Sequence, residues 1–153
     1  MQRGDGGFVY VWVLALVAVL ALGLAAIGPL WSQEAKRDRE DDLLRVGKLY
    51  AEAIAGYYRV SPGSVKHYPP SLEALLLDTR FVGTVRHLRT LYADPVSVDT
   101  PWGLLRAPDG GIRGVYSQSA AVPLRTVPVD LGIAVLAPAA RYAEWQFEPK
   151  VSP

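Results

Sequence analysis

At 153 residues the chain has room for one membrane helix and one small domain of about 120 residues. Its 16 Lys+Arg against 15 Asp+Glu leave a formal net charge of +1, which points to neither nucleic acid nor an acidic substrate. It contains no cysteine, which excludes a disulfide scaffold and thiolate metal sites. The chain opens with Met1 to Gly7, and an uncharged apolar run then extends from Phe8 to Trp31. As a helix with ~1.5 Å rise per residue, that run covers about 36 Å and suffices to cross a bilayer. It is too long for a secretory signal, whose apolar stretch holds about 7–15 residues. Leu24-Ala25-Ala26 offers a weak small-residue cleavage site, but the run continues through Ile27, Leu30 and Trp31. Gly23, with Ala21, Ala25 and Ala26, offers small-residue surfaces for helix packing.

Helix-forming sequence continues beyond the run. Charges of both signs alternate from Glu34 to Asp42 and allow pairs such as Glu34 with Arg37 and Lys36 with Glu40. Apolar residues then recur at Leu43, Val46, Tyr50, Ala53 or Ile54, and Tyr57, the spacing of one helix face. Ser61-Pro62-Gly63 is a stop signal. The pattern predicts one long helix from Phe8 to about Arg59, apolar all round in its first half and amphipathic in its second, with a kink or loosening at Pro29.

Gly7-Phe8, the apolar helix behind it and the amphipathic continuation resemble the N-terminus of type IV pilin-like proteins, in particular the pseudopilins of type II secretion systems. The resemblance implies cleavage after Gly7 by a prepilin peptidase and methylation of the new N-terminal Phe8. Pro29 then stands at the twenty-second mature position, where that family has its helix-disrupting proline. At the fifth mature position, where the family has a glutamate that offsets a neighbouring subunit's terminal amine, this chain has Trp12. A buried ammonium without its partner is costly, and Trp12 offers a cation only its ring face. The departure favours a minor subunit over a major filament subunit.

The resemblance further implies a prepilin-type leader (1–7), a transmembrane and assembly helix (8–31), its amphipathic continuation (32–60) and a periplasmic α+β head (61–153). The implied localisation is single-pass in the inner membrane, with the N-terminus cytoplasmic and the head periplasmic. The positive-inside rule taken alone opposes this, since Lys36, Arg37, Arg39 and Arg45 follow the span and only Arg3 precedes it. The reading follows the resemblance because those basic residues are mixed with acids. The implied partners are the prepilin peptidase, other pseudopilins and inner-membrane assembly proteins, membrane lipid and secreted cargo, with no nucleic acid.

In the head, Tyr68-Pro69-Pro70-Ser71 predicts a short helix over 72–77 capped by Ser71. Strands are predicted over 102–107 and 112–117, joined by the hairpin turn Pro108-Asp109-Gly110-Gly111, and over 142–147, where aromatic residues alternate with small or polar ones. Residues 119–140, rich in proline and apolar residues without a clear period, read as an ordered connection or partner surface. The predicted fold is α+β: a long N-terminal helix packed on a small antiparallel sheet.

Candidate chemistry is thin. His67 and His87 are the two histidines and neither stands in ligand spacing. Asp94, Asp99 and Asp109 form no dense oxygen-ligand loop and read as turn residues, with calcium as the sharper alternative. Ser61, Ser64, Ser71 and Ser117 lack a nucleophile-elbow pattern. Tyr50, Tyr57 and Tyr58 read as core. The expectation is a structural subunit of a type II secretion or type IV pilus-like filament, not an enzyme, with no cofactor. The alternative is a membrane-anchored periplasmic binding or scaffold module that does not polymerise.

Overall fold

The computed structural model describes residues 6–151, with side chains for residues 8–21 and 33–151. The chain divides into two compact units, Met1–Asp38 and Arg39–Pro153. The first helix, α1, runs Gly6–Arg59.

Among the described residues no helix is long and apolar enough to cross a membrane. This corrects the fold expectation of a membrane-spanning first half over 8–31. The same finding corrects the assignments that depend on such a span: a transmembrane helix, a single-pass inner-membrane location with a periplasmic head, and a pseudopilin of type II secretion.

The second unit is α+β. Its part of α1 is held by burial of one face: Leu43, Val46, Tyr50, Ala53, Ile54 and Tyr57 are each 5% exposed or less. Ion pairs on the outer side, Arg45 with Asp42 at 2.9 Å and Lys48 with Glu52 at 3.9 Å, are exposed and contribute a few tenths of a kcal/mol at most. The helix stops where Pro62 has no amide to continue it. Its last carbonyls find cations: Lys66 Nζ donates to Arg59 O at 3.0 Å and Arg80 Nη2 to Tyr57 O at 3.0 Å.

Five strands follow: β1 (Gly103–Arg106), β2 (Ile112–Tyr116), β3 (Val129–Asp130), β4 (Val135–Leu136) and β5 (Gln146–Phe147). β1, β2 and β5 form one antiparallel sheet with β2 in the middle, and β3 and β4 form a separate hairpin. In the β1–β2 turn Gly110 adopts a φ of 85°, open to glycine at no steric cost, and Asp109 Oδ1 accepts the Gly111 amide at 3.0 Å. Leu105 pairs with Gly114 but Arg106 with Ile112, so Arg113 is the extra residue of a β-bulge. The bulge shifts parity, which is why Ile112 and Val115, odd in spacing, are both buried.

Three local expectations are corrected. Residues 72–77 form only a 3-10 turn, Glu73–Leu75, and no side chain caps it. Residues 142–147 hold a 3-10 turn, Tyr142–Glu144, before the two residues of β5. Residues 119–140 contain the β3–β4 hairpin, closed by Asp130 Oδ1 on the Gly132 amide at 2.8 Å.

Trp102, Trp145 and Phe147 fill the space between α1 and the sheet. Trp102 meets Tyr50 and Phe147 edge-on, with ring centroids 5.4 and 6.1 Å apart. The Phe147 ring lies against the backbone of α1 at Gly47, where an added Cβ would overlap the ring. Alanine is the better helix former by ~1 kcal/mol, yet overpacking a close core contact costs ~1–3 kcal/mol. Gly47→Ala is therefore expected to lower stability by about 2 kcal/mol, against its helix propensity. Urea denaturation with an unchanged slope checks it, and a stabilised variant would show that Phe147 does not sit on the helix backbone.

Candidate functional site

Two of the sequence-predicted site residues are described with side chains. Phe8 is 70% exposed and Trp12 65%. The spacing of Phe8, Trp12 and Leu16, with Val9 and Val13 beside them, places these five on one face of α1, where they line a shallow apolar surface. Gly7, Gly23 and Pro29 lie outside the residues described with side chains, as do the Leu24-Ala25-Ala26 site and the expected kink.

Three buried carboxylates organise the second unit, and each holds a loop. Asp78 is the most elaborate. It accepts Arg80 Nη2 at 2.6 Å, Arg80 Nε at 2.8 Å and the Arg80 amide at 3.1 Å, and it meets His87 Nε2 at 3.2 Å. Arg80 in turn lies 3.5 Å above the Tyr57 ring and donates to Ser61 Oγ at 2.9 Å. The Arg80 guanidinium bonded to Asp78 holds its carboxyl well below the usual carboxylate range, at about 2.

Glu40 is the second, 2% exposed. Tyr142 Oη donates to its Oε2 at 2.7 Å and the Leu124 amide at 2.6 Å, and Arg125 Nε pairs with Oε1 at 3.3 Å. Burial beside this carboxylate pushes the Tyr142 hydroxyl up. The helix spacing allowed Glu40 a pair with Lys36; it turns instead to partners more than eighty residues away. Asp94 is the third. It accepts the Val96 and Ser97 amides at 2.9 and 3.2 Å and Ser117 Oγ at 2.6 Å.

These arrangements anchor backbone. Ser61 Oγ meets Arg80 and the backbone of His67, not an imidazole. His87 is engaged with Asp78 and edge-on to Tyr57, with centroids 5.5 Å apart. Asp94 spends its oxygens on two turn amides and the Ser117 hydroxyl, Asp109 Oδ1 accepts a turn amide, and among the described residues no group of three His, Cys, Asp or Glu could hold a metal ion. The sequence pattern did not reveal Asp78, Arg80 or Glu40. The closest local signal was the Asp-x-Arg spacing of 78 and 80, which is common on surfaces.

Because the folded Asp78 pKa lies below the unfolded value near 3.8, its stabilisation is complete above about pH 4 and is lost as pH falls towards 2. Two units correspond to about 2–3 kcal/mol. Asp78→Asn is expected to cost about 2 kcal/mol at pH 7 and to remove that part of the acid limb between pH 4 and 2. Denaturation at pH 7, 4 and 2.5 checks it; an unchanged acid limb in the variant would remove Asp78 from the account.

No family model, no curated protein and no solved structure matches the chain.

Proposed function

We propose that the chain is a structural subunit of a filament of the type IV pilin kind, cut after Gly7 by a prepilin peptidase and assembled through its N-terminal helix. One observation carries the reading. The large apolar side chains from Phe8 to Leu20 are 52–70% exposed on all sides of α1, far more contiguous apolar surface than a monomer leaves to water. Covering that surface is the dominant driving force available to this part of the chain, at ~25 cal/mol per Å² removed from water. Like helices from other copies supply a surface of the same chemistry. Trp12 then stands where the resembled proteins carry a glutamate, and its ring face would meet a neighbour's terminal ammonium by cation–π attraction, worth ~0.5–2 kcal/mol.

Intact-mass and N-terminal peptide analysis with and without a co-expressed prepilin peptidase tests the processing step. The expected product begins at Phe8 and carries an added methyl group. Assembly is read by Trp12→Cys, since the chain has no other cysteine: W12C copies are expected to form disulfide-linked pairs after processing. A chain that keeps Met1 and forms no such pairs would sink the proposal and favour a binding or scaffold module that does not polymerise.

A further inference from the structure

The loop Asp78–Val85 is closed by the Asp78 amide on Val85 O at 2.9 Å. Its base is the buried Asp78–Arg80–His87 network, tied to the end of α1 by Arg80 on Tyr57 O. On this braced base three apolar side chains reach the surface, Val82 fully exposed, Leu77 48% and Phe81 36%, beside the exposed hydroxyls of Thr79 and Thr84. The surroundings are basic. Between Gly56 and Leu91 stand Arg59, Lys66, Arg80, Arg86 and Arg89 against Glu73 and Asp78, and Asp78 is already neutralised by Arg80. A partner for this tip therefore needs an apolar recess with an acidic rim.

The same unit carries such a recess. A groove of about 380 Å³ lies between Leu72 and Trp102, floored by Tyr92 and Trp102, with Leu91 and Val98 exposed along it. Its inner polar atoms are spent: Tyr92 O accepts both Tyr50 Oη at 3.0 Å and Trp102 Nε1 at 2.9 Å, and Asp94 is held by Ser117 and two amides. The floor thus suits an apolar occupant rather than one that must hydrogen-bond. Glu73 and Asp99, both exposed, supply the acidic rim.

We infer that the Leu77–Thr84 tip of one copy docks in the Glu73–Trp102 groove of a second copy, with Arg86 and Arg89 against Glu73 and Asp99. Tip and groove are joined within each copy, because Leu75 O accepts the His87 and Leu88 amides. Two adjacent, mutually complementary patches make a two-fold exchange the natural geometry. This contact is separate from the helix contact proposed above, and does not rest on it.

Mixing full-length Val82→Cys and Val98→Cys chains under mild oxidation tests the contact, since no other cysteine competes. The expected result is a disulfide-linked V82C–V98C pair at a yield about tenfold above V82C mixed with Val127→Cys, a position 63% exposed outside the groove. Glu73→Arg in the V98C chain is expected to cut the yield about tenfold by facing like charges, and Arg86→Glu in the V82C chain to restore it. Yields that do not distinguish V98C from V127C, or a charge pair without rescue, would overturn the inference. W12C crosslinking, run in parallel, reports the helix contact on its own, so failure of either contact is seen separately.

Discussion

The second unit depends on burying one face of α1 beneath a sheet too small to stand alone. Strands of two to five residues do not hold together in water without a partner surface. That surface is Leu43, Val46, Tyr50, Ile54 and Tyr57, against which Trp102, Val115, Trp145 and Phe147 close the core. The helix is therefore not an appendage to a preformed sheet. Without it β1, β2 and β5 lose the apolar side that makes their pairing worth the entropy of ordering them.

Loops are held by a second device. Much of the unit is irregular chain whose amides and carbonyls have few ladder partners, and buried carboxylates take that role. Glu40 seats residues 124–125 and Tyr142, Asp78 holds Arg80 and His87, and Asp94 gathers the turn at 96–97 with Ser117. Each carboxylate is at most 2% exposed and each is met by several donors, the condition under which a buried charge is tolerated. Through Asp78, whose carboxyl its Arg80 partner holds below the usual range, part of this scaffolding is acid-sensitive in a way that the apolar core is not.

Local chemistry was legible in the sequence, and distant pairing was not. The 3.6 period of Leu43 to Tyr57, the stop at Ser61-Pro62-Gly63 and the turn at Asp109-Gly110 each depend on residues within a few positions of one another. The β3–β4 hairpin had a local signal too, Asp130-Leu131-Gly132, but its two-residue strands are too short to show alternation. Glu40 read as surface because its partners lie at 124, 125 and 142. The parity of β2 was hidden by the Arg113 bulge, which no residue type announces. The apolar run from Phe8 suggested a membrane span on hydropathy alone, and among the described residues no helix is both long and apolar enough to be one. Of the candidate site, Phe8 and Trp12 were readable as part of a helix apolar all round, whereas the Asp78 network exists only once loop and helix end meet.

The close approach of Phe147 to Gly47 also fixes position along the helix axis. A slip of one turn, about 5.4 Å, would carry Leu43 or Ala51 beneath the ring, and each has a Cβ where only bare backbone fits. The glycine thus acts as a notch and the ring as its pawl. Under tension applied along α1, the unit cannot creep by stepwise re-registration; it holds its place until the core around the ring opens.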